Sequence, residues 1–225
     1  MSTTLLTDEF DQLTIGTLSA NVGAHTEYHF LPEAAPKGNW GVACFASGGD
    51  RGLAWHVASH EGKNIVAQTI ENKHKHTHPM LNAGDFLWED YTLTVSFTPQ
   101  EKKGQNGVVF RYHNNRCYYF FGFCDDTLSL IKRQHDKTYR DPNEDILASQ
   151  PCDWTPGETY TATVTIKGTH IHATLEDVAT LEADDATWPK GKIGLMADNP
   201  TQYHNVTVTT EDVETFNVHR EKREK

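Results

Sequence analysis

"GVVFRYHNNRCYYFFGFCDDTLSLIKR", residues 107–133, decides the fold of this chain. Three runs, GVVFRY (107–112), CYYFFGF (117–123) and TLSLIKR (127–133), are too short for helices and rich in the β-branched and aromatic residues that fit a pleated sheet. HNNR and CDD separate them, and Asn and Asp supply turn chemistry. A loop at 113–116 predicts pairing of Tyr112 with Cys117, Arg111 with Tyr118, Phe110 with Tyr119 and Val109 with Phe120. A tight turn at Asp125-Asp126 then pairs Gly122 with Ser129, Phe120 with Ile131 and Tyr118 with Arg133. Side chains alternate across a sheet, so Val108, Phe110, Tyr112, Tyr119 and Phe121 share a predicted core face. Val109, Arg111, Tyr118, Phe120 and Gly122 share the other, where Arg111, Tyr118 and Arg133 form a row across three strands.

The same period of two recurs along the chain. Further strands are predicted at WHVAS (55–59), NIVAQTI (64–70), YTLTVSFT (91–98), TYTATVTIKG (159–168), THIHATLE (169–176), KIGLMA (192–197) and HNVTVTT (204–210). SGGDRG, PQEKKGQNG, DPNED, TPGE and ADNPT between them carry the Gly, Pro, Asn and Asp of tight turns. So many short strands in one chain predict an all-β protein of two stacked antiparallel sheets or a barrel. Residues 1–210 are expected to form one domain, and the charged stretch 211–225 to be a solvated tail, a short closing helix or a linker.

Composition narrows the partners. With 225 residues and 37% hydrophobic content the chain can bury a sizeable core. No window approaches the roughly 18 apolar residues of a membrane span, and MSTTLLTDEF lacks the basic and apolar regions of a signal peptide. The compartment stays open: extracytoplasmic if a leader was removed, otherwise cytoplasmic. Lys plus Arg is 20 against 31 Asp plus Glu, and a net charge of −11 argues against nucleic acid and membrane surfaces. Thirteen histidines would bring that charge to about +2 if all were protonated. Cys44, Cys117, Cys124 and Cys152 form no CxxC pair or zinc-finger spacing, and read as isolated thiols or, in an exported protein, as two disulfides.

Two constellations carry chemistry. Arg111 and Arg133 flanking Tyr118 would cradle a carboxylate, through planar forks of donors beside a ring face; alternatively each cation pairs with a loop carboxylate and covers Tyr118 with its stem. ENKHKHTHPM (71–80) places His74, His76 and His78 on alternate positions, about 6.5–7 Å apart if extended. A metal with bonds of about 2.1 Å rarely collects three ligands from a straight strand, so a polar rim or sugar hydrogen bonding is favoured and no metal site is assigned. Trp55 and Trp88 read as core or sheet-packing residues, and the sequon Asn205-Val206-Thr207 falls inside a strand.

GVVFRY, CYYFFGF and LSLIKR, with GKIGLMADNPTQYHNVTVT, FLWEDYTLTVSFTP and LAWHVASHEGKNIVAQT, resemble the concanavalin A-like β-sandwiches of carbohydrate-active proteins. Within them the likeness is to laminin-G-like modules and 3-keto-disaccharide hydrolases, over roughly residues 50–210. The resemblance implies a two-sheet jelly roll, a carbohydrate ligand and a place beside the catalytic domain of a polysaccharide-degrading enzyme.

Glucanases on the sandwich that the chain resembles use an E-x-D-x-(x)-E strand that sets two acids about 5 Å apart, and none is present; EDY (89–91), DPNED (141–145) and EADD (182–185) read as turns. GxSxG, GxGxxG, P-loop and HExxH motifs are likewise missing. Histidine, tyrosine and arginine remain, the parts of an elimination site: a cation neutralises the substrate and a His or Tyr moves the proton. The leading expectation is a carbohydrate-binding module for a polysaccharide or oligosaccharide, extending to uronic-acid glycans, through Arg111, Tyr118, Arg133 and His74. Its rival is a polysaccharide lyase or 3-keto-glycoside hydrolase in which His76, His78 or Tyr118 is catalytic. A third reading is a structural module without a ligand. The sequence specifies no cofactor.

Overall fold

A computed structural model describes residues 2–18, 39–43, 54–73, 77–134 and 143–211. Its strands are β1 (Thr3–Asp8), β2 (Gly16–Thr17), β3 (Gly41–Val42), β4 (Trp55–His60), β5 (Lys63–Gln68) and β6 (Met80–Ala83). Next come β7 (Thr92–Pro99), β8 (Gln105–Asn114), β9 (Cys117–Cys124), β10 (Thr127–Gln134) and β11 (Asn143–Pro151). The chain closes with β12 (Tyr160–Lys167), β13 (His170–Leu175), β14 (Ala179–Asp184), β15 (Lys192–Ala197) and β16 (Thr201–Thr210). No helix occurs among the described residues. Cys44, His74, His76 and the tail from residue 212 lie outside them.

Two antiparallel sheets stack face to face. One has the order β14-β13-β12-β7-β16-β5-β4-β2, with β1 paired to β16; the other runs β11-β10-β9-β8-β15-β6-β3. Period-two patterning explains the nine-stranded sheet. On β7, Leu93, Val95 and Phe97 are buried while Thr92, Thr94 and Ser96 are only partly so, and β12 alternates in the same way. In the seven-stranded sheet, β9 is buried on both faces apart from Cys124, which matches the unbroken apolar run of its sequence. Val108, Phe110, Tyr119, Phe121, Leu128 and Leu195 meet Leu93, Val95, Phe97 and Val164 in the core between the sheets. Tyr203 spans that core, its hydroxyl donating to the carbonyls of Gly107 (2.9 Å) and Met196 (2.8 Å). Trp55 is fully buried, and Trp88 packs edge-on against Tyr91.

The predicted register holds from β9 to β10, where Gly122 faces Ser129, Phe120 faces Ile131 and Tyr118 faces Arg133. Between β8 and β9 it holds for Val109–Phe120 and Phe110–Tyr119 but then fails. Asn114, not Tyr112, pairs with Cys117, so residues 111–113 all lie opposite Tyr118 in a bulge. Arg111 adopts φ 45°, a left-handed conformation unusual for a long side chain. The bulge exchanges the expected faces: Tyr112 joins Tyr118 on the outer face, ring centroids 6.3 Å apart, and Arg111 turns inward. The strand assignment also widens. DPNED and EADD, expected as turns, contribute Asn143, Glu144 and Asp145 to β11, and Glu182, Ala183 and Asp184 to β14.

Candidate functional site

The outer face of the seven-stranded sheet carries a second buried cluster: Met80, Val109, Tyr112, Tyr118, Phe120, Ile131 and Met196 among others. Gly107 and Gly122 are paired across β8 and β9 on this face, and Gly194 lies on the same side of β15. A Cβ at Gly107 would stand 2.3 Å from the Phe121 carbonyl oxygen, and one at Gly122 would stand 2.4 Å from that of Asn106. The strands therefore approach too closely for any side chain there, and a bare floor is left over which long neighbours converge.

Tyr118, Arg133 and Glu144 are successive ladder partners on β9, β10 and β11. Arg133 Nη1 donates to Tyr118 Oη at 3.1 Å and is 3.0 Å from Glu144 Oε1. From the other side of the floor come His78 and Asp198. Met80 faces Met196 in the β6–β15 ladder, and the two residues stand two positions beyond that pair, so they meet on the same face. His78 Nδ1 is 2.7 Å from Asp198 Oδ1, which also accepts from Asn72 Nδ2 at 2.7 Å, while Oδ2 accepts from the Gln105 amide at 2.9 Å. His78 Nε2 is 3.8 Å from Glu144 Oε1, beyond hydrogen-bonding distance, and has no hydrogen-bond partner. Gln105 Nε2 reaches Glu144 Oε2 at 3.4 Å. A continuous chain thus runs Tyr118–Arg133–Glu144–His78–Asp198. Arg133 is 1% and His78 6% exposed, and the chain meets solvent at Glu144, 34% exposed.

Burial alone would lower the pKa of His78, but the Asp198 carboxylate against its ring overrides this and raises it. Burial would raise both carboxyls; instead the imidazole lowers Asp198, and His78 with Arg133 lowers Glu144. Two carboxylates, a guanidinium and an imidazole therefore share one desolvated site, neutral as a set when His78 is protonated and anionic when it is not. Burial raises the Tyr118 phenol, which suits it as a hydrogen-bonding group and not as a base. Among the described residues no group of three His, Cys, Asp or Glu side chains is arranged to hold a metal ion.

Arg111 stands apart from this chain. Its guanidinium lies at one end of the sandwich, donating to the carbonyls of Gly168 (2.7 Å), Trp188 (3.2 Å) and Glu89 (3.3 Å), with Asp90 Oδ1 at 3.4 Å. The cradle expected from Arg111, Tyr118 and Arg133 does not form, because the bulge points the first cation between the sheets and Glu144 neutralises the second. His78, Tyr118 and Arg133 are brought together; His74 and His76 lie outside the described residues. Glu144 and Asp198 were missed in sequence. Glu144 sits in a stretch resembling a turn, and Asp198 meets His78 only through the β6–β15 pairing, which no local sequence signal gives.

Residues 45–209 match the family model of the 3-keto-alpha-glucoside-1,2-lyase-like domain. No curated protein matches the sequence. Among solved structures, the chain is similar to a carbohydrate binding module, CBM66 from Bacillus subtilis, with a TM-score of 0.56 and 14% identity over 76% of this chain and 96% of that one. It is also similar to LamAcat from Zobellia galactanivorans (TM-score 0.54, 11% identity, 92% and 98% of the two chains). A third likeness is to the GH43 protein BlXynB from Bacillus licheniformis (0.53, 12%, 90% of this chain and 38% of that one). At such identities these likenesses establish the fold, a concanavalin A-like jelly roll. With three quarters of its length matched by one family model and this sandwich around its site, the chain is a carbohydrate-related β-sandwich domain and belongs to the 3-keto-alpha-glucoside-1,2-lyase-like family.

Proposed function

We propose that this domain eliminates the C1 substituent of a neutral 3-keto-glycoside, with His78 as the proton-transfer group. The observation that carries the reading is the buried Nε2 of His78, free of any hydrogen bond, on a ring whose Nδ1 is held by Asp198. In the neutral ring, which exists above the raised pKa of His78, a carboxylate on Nδ1 fixes the tautomer that leaves a lone pair on Nε2. The C3 ketone of such a sugar acidifies the proton on C2. His78 Nε2 takes that proton, the C–H electron pair becomes the C1=C2 double bond, and the C1–O bond breaks. The imidazolium, stabilised between Asp198 and Glu144, returns the proton to the departing oxygen. Negative charge gathers on the ketone oxygen during proton removal, and the Arg133 guanidinium, oriented by its bond to Tyr118 Oη, supplies positive charge beside the same floor.

A neutral sugar is favoured over a uronate because Glu144 already balances Arg133 and Arg111 points elsewhere. The test is incubation with methyl 3-keto-α-glucoside, following methanol release and ultraviolet absorbance of the conjugated product. His78→Asn should lower the rate by about 10²–10⁴-fold, the usual worth of a positioned acid–base group. Turnover by wild type and variant at equal rates, with both folded, rejects the assignment of His78.

A second reading, binding without chemistry, is favoured by the mutual pairing of the charged groups in so buried a site. It predicts no product from the keto-sugar, and retardation of the protein in gels containing glycan.

A further inference from the structure

The opposite outer face of the sandwich carries a regular row of hydroxyls that the site above does not use. Thr7, Thr207, Thr94, Thr163, Thr174 and Thr180 are successive ladder partners across β1, β16, β7, β12, β13 and β14. Each lies on the face away from the core, since Val95, Val164, Ala173 and Leu181 beside them point inward. A parallel row two residues along runs through Thr209, Thr92 and Thr165. Neighbouring hydroxyls are bonded: Thr94 to Thr163 at 3.3 Å, Thr92 to Thr165 at 3.1 Å and Thr174 to Thr180 at 3.0 Å. Such a bond uses one donor of each pair and leaves a donor and spare lone pairs outward.

Threonine favours strands, and cross-strand threonine pairs stabilise them, which accounts for single pairs. It does not account for six consecutive strands without a charge in a chain that is 23% charged. The ion pairs of this face, His172–Glu182, His170–Asp184 and Lys167–Glu211, all lie off the row. The row is therefore electrically neutral in a strongly anionic protein, and its complement is a neutral, hydroxyl-rich ligand. The strands that carry the row repeat at about 4.8 Å, the length scale of a pyranose ring in an extended chain. Sheet twist of about 20° per strand turns successive hydroxyls out of one plane, so a single chain can follow the row whereas a flat crystalline surface touches only a few strands.

We infer that this hydroxyl row is a second glycan-binding surface, which holds one extended neutral polysaccharide chain across the strands on the side of the sandwich opposite His78. The test is native affinity electrophoresis of the whole protein in gels containing soluble mixed-linkage β-glucan, xylan or glucomannan, with carboxymethylcellulose as the anionic comparison. Thr94→Val with Thr163→Val removes two central hydroxyls while keeping the β-branched shape; equal near-ultraviolet circular dichroism checks the fold. The expected result is retardation by a neutral glycan, weakened about tenfold in the double variant, at roughly 1 kcal/mol or less per lost hydrogen bond. His78→Asn should be retarded like wild type, which separates this surface from the proposed catalytic site. Retardation unchanged by the double valine variant, retardation abolished by His78→Asn, or no retardation of wild type by any of the three neutral glycans overturns the inference.

Discussion

Replacing Arg111 by methionine separates a structural cation from a ligand-binding one. The side chain is 1% exposed, and its guanidinium satisfies the carbonyls of Gly168, Trp188 and Glu89. Methionine fills similar volume and meets the same backbone strain at φ 45°, so the change isolates the loss of donors. Three carbonyls left without a partner at about 1–2 kcal/mol each give roughly 3–6 kcal/mol, overlapping the range for breaking a buried polar network. The Asp90 contact adds little because that carboxylate is 41% exposed. For a chain of this size about 4 kcal/mol corresponds to a fall in Tm of about 8–16 °C. Urea titration gives the free energy and calorimetry gives Tm, with turnover of the keto-sugar measured well below the transition. Full activity with strongly reduced stability is the expected combination. A variant as stable as wild type that no longer acts on or binds sugar would refute the inward clamp and restore Arg111 to the ligand face.

Asp185 bonds Tyr119 Oη at 2.5 Å and Lys132 Nζ at 3.0 Å, which ties the loop after β14 to the seven-stranded sheet. Burial opposes ionisation there, but these bonds and those of Thr187 pull its pKa from 3.8 to about 2. The depressed value means stability present above about pH 4 and lost as pH falls through 2, about 2 kcal/mol in all. Acid unfolding of Asp185→Asn should lack that component, and an unchanged acid limb would contradict it. His78 carries the opposite sign: its raised pKa contributes stability below about pH 6.5 that disappears as pH rises through the folded value. In Asp198→Asn burial should dominate and carry the imidazole below its ordinary value, as read by proton NMR titration; a value still raised would show that Asp198 is not the cause.

Fold class was legible because strand signals here are local. Alternation in YTLTVSFT and TYTATVTIK fixes which face is buried, and the turn at Asp125-Asp126 fixes the β9–β10 register. Half of the site followed, since Tyr118 beside Arg133 depends on that register alone. The bulge at 111–113 did not: nothing in RYH announces a left-handed residue, and the gain that stabilises it, three distant carbonyls for one guanidinium, belongs to tertiary structure. The same holds for β11, whose polar NEDILASQP lacks clean alternation because it is an edge strand, paired only with β10. His78 meeting Asp198 required knowing that β6 and β15 are neighbours, a long-range pairing that neither segment encodes by itself.

The bulge next to Tyr118 has a bearing on how such sandwiches diversify. Whether a phenol or a guanidinium projects from that hairpin depends here on the bulge at 111–113, with the residues themselves unchanged. Lengthening or shortening a two-residue irregularity would thus convert an aromatic wall into a cationic one without touching the scaffold. In a redesign aimed at acidic sugars, the hairpin tip is the lever to pull before any substitution on the floor.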